Sequence, residues 1–191
     1  MIKLRIADKN DAQQLAPIYA YYVENTAISF EYSAPTVEEF ESRILHKLEK
    51  YPFIVAAENG RCIGYAYASQ FRERESYDWS VELSVYVDKE HLKKGVGTRL
   101  YGALLELLTL QNFAIAYSLI ALPNPSSVAL HERFGFVSFG VSRAVGFKNQ
   151  AWHDVIWYEK KLNYFENEQA LPIIPFPNLD KKTVAEILAK H

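Results

Sequence analysis

The stretch that most constrains this chain runs from the β-branched strand end Val85-Tyr86-Val87, through the basic turn Asp88 to Lys94, into Gly95-Val96-Gly97-Thr98-Arg99-Leu100. A leucine-periodic helix starts there, with Leu100, Leu104, Leu107 and Leu108 on one face. A strand that turns through paired glycines straight into a helix gathers the first N–H groups of that helix at one point. Those donors have no partner inside the helix, and the helix dipole adds positive potential, so the junction suits an anion such as phosphate. Gly95 and Gly97 allow close approach of main chain to a ligand. By itself the turn is equally consistent with an ordinary helix start.

At 191 residues and 49% hydrophobic content, the chain fits one core-forming domain with a tail. A formal net charge of −2 leaves no global basic field for nucleic acid, so an anion site has to be local. The single cysteine, Cys62, excludes an intrachain disulfide framework and reads as a small packed residue. The histidines at 46, 91, 131, 153 and 191 lack close ligand spacing, so no metal site is expected. No apolar run approaches the ~20 residues that span a bilayer, and residues 1–8 lack a signal-peptide core. The expectation is a cytoplasmic protein with neither a membrane nor a nucleic-acid partner.

Periodicity and punctuation predict the element order βααβββαβαββ, a mixed sheet with helices on both sides. A strand over residues 2–7 precedes a helix capped by Asp11, and Thr36-Val37-Glu38-Glu39 forms a capping box for a second helix reaching about Lys50. Strands at 53–58 and 62–71 flank the hairpin pair Asn59-Gly60, and a third strand covers 79–87. After the glycine turn and its helix come a strand at 114–121 and a short helix that Ser126 or Ser127 would cap. Strands at 136–147 and 152–162 complete the domain. The prolines of Leu171–Pro177 argue for an extended linker, and Asp180 caps a last helix with Val184, Ile187 and Leu188 on one face. That face is too small to be stable alone, so it should dock on the domain or on a second subunit. The division expected is a domain at 1–162 and a tail at 163–191.

This order, with an anion cradle after the fourth strand, resembles the GNAT superfamily of acetyl-CoA-dependent N-acetyltransferases. The segments Thr26-Ala27-Ile28-Ser29-Phe30-Glu31, Phe71-Arg72-Glu73-Arg74-Glu75-Ser76-Tyr77, Val81-Glu82-Leu83-Ser84-Val85-Tyr86-Val87, Asn124-Pro125-Ser126-Ser127, Leu130-His131-Glu132 and Trp152-His153-Asp154-Val155 are similar to the phosphinothricin and methionine-sulfoximine acetyltransferase branch. The resemblance implies a mixed, mostly antiparallel α/β (α+β) fold, acetyl-CoA as co-substrate and a homodimer. It also implies acetyl transfer to the α-amine of a small amino acid or analogue, without an acetyl-enzyme. By the same resemblance, Val85, Tyr86 and Val87 pair with the pantetheine arm and Asn124 binds the cofactor. The turn departs from the family pattern, with Leu92 at a position usually Arg or Gln and Lys93 where glycine is common. Recognition there should rest on the N–H groups of residues 93–98, here Lys93, Lys94, Gly95, Val96, Gly97 and Thr98, with charge from Lys93, Lys94 and Arg99.

For the reaction, Glu82 is the candidate base, because strand alternation places it with Ser84 and Tyr86, opposite Val81, Leu83 and Val85. The alternative is a structural ion pair. His131 is the candidate acid for the departing thiol, against a hydrogen-bonded structural histidine. Arg72 and Arg74 suit an acceptor carboxylate, although their alternation with Glu73 and Glu75 also fits a solvated loop. Phe30, Glu31, Tyr77 and Lys148 are further lining candidates, whereas His153-Asp154 reads as structural. Two alternatives stay open: transfer to another amine, such as a polyamine or peptide N-terminus, and a CoA-binding module without turnover.

Overall fold

The computed structural model of the protein describes residues 1–163 and 169–191. Within them, seven strands form one sheet: β1 (Ile2–Ile6), β2 (Phe53–Glu58), β3 (Arg61–Gln70), β4 (Ser80–Val87), β5 (Ile115–Ala121), β6 (Val137–Lys148) and β7 (Ala151–Lys161). Their spatial order is β1-β2-β3-β4-β5-β7-β6, and only β4 and β5 run parallel. Two apolar clusters lie on the two faces. Helices α1 (Ala12–Asn25) and α2 (Val37–Leu48) bury Leu15, Tyr19, Phe40 and Ile44 against Phe53, Val55 and Tyr65. On the other face α3 (Val96–Leu110) buries Leu100, Leu104, Leu107 and Leu108 against Ile54, Ile63, Val81 and Leu83. Short α4 (Pro125–Arg133) packs Val128 and Leu130 on that second cluster.

Local chemistry explains most boundaries. Asn59 and Gly60 both take positive φ, 51° and 81°, which a two-residue hairpin turn matched to strand twist requires. The Thr36–Glu39 capping box forms in both directions, with bonds of 3.2 and 2.9 Å. Two caps differ from expectation. Asp8 caps the 3-10 turn Lys9–Asp11 that precedes α1, while the Asp11 carboxylate turns inward to Arg5 at 2.5 and 2.6 Å. Asn124, rather than either serine, caps α4 by accepting the Ser127 N–H at 3.2 Å. An ion pair near a strand end outcompetes a cap at the first site, and Pro125 at the first helical position sets the cap at Asn124, ahead of both serines, at the second.

The tail docks on its own domain. Ile174 exchanges hydrogen bonds with Gln111, Phe176 donates its N–H to the Lys50 carbonyl, and Trp79 Nε1 donates to the Leu171 carbonyl. A 3-10 turn, Phe176–Asn178, interrupts the predicted extended linker, and α5 (Lys181–Lys190), capped by Asp180, adds Val184, Ile187 and Leu188 to the cluster under α3. Residues 164–168, at the start of the predicted tail, lie outside the described residues.

Two features position the site. β4 and β5 pair only over Ser80–Glu82 and Ile115–Tyr117, then diverge, β4 staying with β3 as far as Val87 and β5 with β7 as far as Ala121. Opposite Val87, Gly64 lets the start of α3 settle on the sheet. A Cβ there would lie 3.0 Å from the Tyr86 carbonyl oxygen and 3.2 Å from Val96 Cγ1. Replacing Gly64 with valine should therefore push the first turn of α3 outward and cost about 2 kcal/mol, read as a lower urea midpoint at unchanged slope.

Candidate active site

The divergence of β4 from β5 opens a groove of about 530 Å³, walled by Leu83–Val87, Ser118–Ala121, the first turn of α3 and one side of α4. Strand alternation fixes which main-chain groups face it. Because the Asp88 N–H reaches the Ile63 carbonyl at 2.9 Å, the even residues Tyr86, Ser84 and Glu82 spend their peptide groups on β3. The odd residues turn theirs toward β5: the Leu83 N–H still meets the Tyr117 carbonyl at the last bridge, and beyond it the Leu83 carbonyl and the main chain of Val85 and Val87 face the strand that has moved away. Of the three strand residues expected to pair with a cofactor arm, Val85 and Val87 thus present main chain to the groove. Tyr86 does not: it is paired with Tyr65, and its ring packs against Tyr19, Tyr22 and Tyr65 on the α1 face. The Val87 carbonyl already accepts from Tyr22 Oη, leaving its N–H.

At the open end, Lys93 and Gly95 take left-handed conformations, φ 59° and 80°, and α3 starts at Val96 without a side-chain cap. Arg99 is the first residue to bond back, to the Gly95 carbonyl at 3.1 Å, so the N–H groups of Val96, Gly97 and Thr98 have no intrahelical acceptor. Lys93 and Leu92 line the groove beside them, whereas Lys94 is exposed outside its lining. Arg99 does not line the groove, and its Nε donates to the main-chain oxygen of His191. His91, which the sequence reading left without a role, lines the groove with Nδ1 3.3 Å from Asp88 Oδ1. Across the groove Asn124 uses Oδ1 as a helix cap, which leaves its amide N–H₂ free to donate to a ligand.

Glu82 stands at the closed vertex, in register with Tyr117 of β5 and Ser69 of β3. From Val87 to Glu82 the strand runs roughly 17 Å, on the scale of an extended pantetheine arm. Burial pushes the Glu82 carboxyl above its ordinary range, and the charges of Arg72 and Lys47 only partly oppose this. Arg72 lies over the rings of Phe71 and Trp157, at 4.4 and 5.6 Å from their centres, with Nη1 on the Phe71 carbonyl. Lys47, from the last turn of α2, lies over Tyr67 on the other flank and was not foreseen.

His131 is buried in a closed chain of hydrogen bonds. Its Nδ1 lies 2.7 Å from the Ser127 carbonyl, an acceptor only, so Nδ1 carries the proton. Nε2 then accepts from Tyr101 Oη at 2.7 Å, and Tyr101 Oη accepts from Ser118 Oγ at 2.8 Å. Burial lowers the imidazole's pKa, in keeping with a neutral ring. Both nitrogens are engaged, and neither holds a proton toward the groove.

The acetyltransferase (GNAT) domain family matches residues 4–157. The chain belongs to the GNAT acetyltransferase family. It is 34% identical over 176 residues, 92% of each chain, to the phosphinothricin N-acetyltransferase of Streptomyces viridochromogenes. To the L-methionine sulfoximine/L-methionine sulfone acetyltransferase of Salmonella typhimurium it is 29% identical, covering 84% of this chain and 94% of the relative. The crystal structure of a GNAT superfamily phosphinothricin acetyltransferase from Sinorhizobium meliloti in complex with AcCoA superposes with a TM-score of 0.84 at 32% identity, covering 93% of this chain and 96% of that one.

The remaining candidate residues of this acetyltransferase divide into free and engaged groups. Arg74 and Tyr77 are exposed, Tyr77 edge-on to Phe71, and Arg74 makes no side-chain bond to the 3-10 turn it precedes, Glu75–Tyr77. Glu31 is engaged: Arg43 grips it with two bonds of 2.7 and 3.0 Å and Tyr19 Oη adds a third at 2.9 Å. Burial alone would raise its pKa, but these donors hold it below the ordinary range. Lys148 is only 4% exposed, and its ammonium is spent on the carbonyls of Val23, Ser29 and Glu31 at 2.6, 2.6 and 2.8 Å. It pins the loop after α1 to the β6–β7 hairpin instead of facing an acceptor. Phe30 seats on the same hairpin, where a Cβ at Gly146 would overlap its ring, and Tyr32 Oη donates to the Phe147 carbonyl. His153 and Asp154 do not pair with each other; they bond the Lys148 carbonyl and the Ala144 N–H. Substituting Lys148 with methionine would strand three carbonyls and is expected to cost about 3 kcal/mol, measured by urea unfolding.

Proposed function

We propose that the protein transfers the acetyl group of acetyl-CoA directly to the α-amine of a small amino acid or analogue, of the phosphinothricin or methionine sulfoximine/sulfone type. The observation that carries this reading is the groove: the Leu83 carbonyl, both peptide groups of Val85 and the Val87 N–H lead, without a β5 partner, from an uncapped helix start to a half-buried carboxylate. The donor set suits the co-substrate. Three helix N–H groups and Lys93 match a pyrophosphate, the β4 peptide groups match the amides of a pantetheine arm, and the Asn124 amide can add a donor. A thioester laid along this path supplies an electrophilic carbonyl near Glu82.

Glu82 acts as the base, directly or through water, taking a proton from the acceptor ammonium and so freeing the amine lone pair. The new C–N bond forms as the C–S bond breaks, and the electron pair leaves on sulfur. A β4 N–H facing the groove steadies the oxygen that gains charge. We assign His131 to holding Tyr101 and α4 together, because its ring has no proton to give toward the groove. The nitrogen, which after attack still carries one proton too many, releases it through groove water to the departing thiolate, whose thiol form has a solution pKa of about 8.5. Arg72, its plane already braced by Phe71 and Trp157, and Arg74 supply guanidinium edges for the α-carboxylate, with Phe30 and Tyr77 as walls.

The same reading places catalysis in residues 1–162, with the following segment as a strap on the core, and the protein in the cytoplasm as a homodimer. Edge strand β6 supports the dimer. It exposes Val137 at 66% and Phe139 at 53%, with Trp152 of β7 at 65%, an apolar sheet edge of the kind that monomers normally blunt.

Glu82→Gln should lower kcat/KM by about 100-fold or more. In the wild type, kcat/KM should rise with pH through an apparent pKa above the ordinary carboxylate value, since the base works only when ionised. An unchanged profile in the variant removes Glu82 as the base, and activity confined to polyamines or peptides removes the amino-acid acceptor. Sedimentation should give a dimer that Phe139→Asp shifts toward monomer; a monomeric wild type rejects that assembly.

A further inference from the structure

Resting on the acceptor reading above and deepening it, we infer that Lys47 selects amino-acid acceptors that carry a second acidic group at the end of the side chain. Arg43, Lys47 and Lys50 stand at i, i+4 and i+7 and present three cations along one side of α2 and its end. Arg43 is gripped by Glu31, and Lys50 reaches Asp78 at 3.4 Å. Lys47 alone of the three has neither an ion pair nor a hydrogen bond among the described residues. Its Nζ instead lies over the Tyr67 ring, 5.8 Å from the centre.

This placement is costly. Burial and the neighbouring Arg43 charge both disfavour the ammonium form, and only the Glu82 charge favours it. A helix C-terminus welcomes a cation, but that benefit does not require the side chain to fold inward over Tyr67. The register explains where it points. Tyr67 pairs with Ser84, and Ser69 with Glu82, so these four side chains share one face of the β3–β4 ladder. Lys47 therefore flanks Glu82 on the α2 side, while Arg72, over Trp157 of β7, flanks it on the other.

Directly beside Glu82 the cleft thus holds two cations, Lys47 and Arg72, and one carboxylate, with Arg74 exposed on the loop beyond them. A zwitterionic acceptor with a neutral side chain leaves one positive charge unbalanced. An acceptor with an additional acid group balances every charge, its amine toward Glu82, its α-carboxylate on Arg72 and its side-chain acid on Lys47. Carboxylate and phosphinate ends share the required chemistry: an anionic oxygen able to accept from an ammonium in a half-buried setting.

The test compares kcat/KM for two acceptors with acidic side chains, glutamate and phosphinothricin, against two neutral ones, methionine and methionine sulfone. The full chain is assayed with acetyl-CoA as wild type, Lys47→Met and Lys47→Arg. In Lys47→Met the acidic-to-neutral ratio should fall about 30-fold, mainly through KM, and Lys47→Arg should recover most of it. An equal loss on all four acceptors, an unchanged ratio, or a shifted acidic limb as the sole effect overturns the inference, the last because Lys47 would then act only through Glu82. A wild type that acetylates none of the four but does acetylate another amine overturns the acceptor reading and this inference with it. Wild-type transfer to amino acids with no Lys47-dependent ratio overturns this inference alone.

Discussion

Three residue pairs hold β4 to β5, and the absence of a fourth organises everything around them. Past Glu82 the Leu83 carbonyl, both peptide groups of Val85 and the Val87 N–H face a gap. A peptide group sealed from water without a partner costs several kcal/mol, so the gap has to remain hydrated or take an extended ligand with amide groups of its own. The divergence also gives the groove a polarity. At its wide end the start of α3 fills the space between the strands, and at its vertex the last paired residue is a carboxylate.

Alternation along β4 then sorts the chemistry by face. Val81 and Leu83 sink into the leucine cluster under α3, which fixes that helix and hence the position of its unpaired N–H groups. Glu82, Ser84 and Tyr86 emerge on the opposite face, among tyrosines and the charged ends of α2. A single strand thereby turns main chain to the groove and a carboxylate to the opposite face without either set of groups competing for the same space. The strap formed by α5 belongs to the first of these faces: it adds apolar residues beneath α3, and the main-chain oxygen of His191 accepts from Arg99 Nε.

Around the vertex, three of the candidate groups have their hydrogen-bonding capacity taken up within the fold. Glu31 has three donors, Lys148 three carbonyls, and His131 a partner on each nitrogen. Glu82, Lys47 and Arg74 keep theirs, and Arg72 keeps most of a guanidinium edge. Satisfied polar groups rigidify the loop after α1 and the α4 wall, so the unsatisfied ones stand on a stiff frame, which is the arrangement that makes their unpaired charges useful to a ligand.

By itself the sequence determined the elements and their order, because caps, the Asn59-Gly60 turn and hydrophobic period are local properties of neighbouring residues. It also determined that Glu82 would share a face with Ser84 and that a basic glycine turn would open a helix. Residue identity alone could not separate Lys148, a titratable side chain in a family-like position, from a true lining group, since its three carbonyl partners lie more than a hundred residues away. Nor could it connect Lys47 to Glu82, although the basic i, i+4, i+7 stripe was visible. Tertiary structure decided the gap between β4 and β5, the partners that Arg99 and His131 meet, and that Lys47 has no ion pair among the described residues. Each depends on which distant groups meet, and a polar group's availability is set by the partners that packing brings to it rather than by its own chemistry.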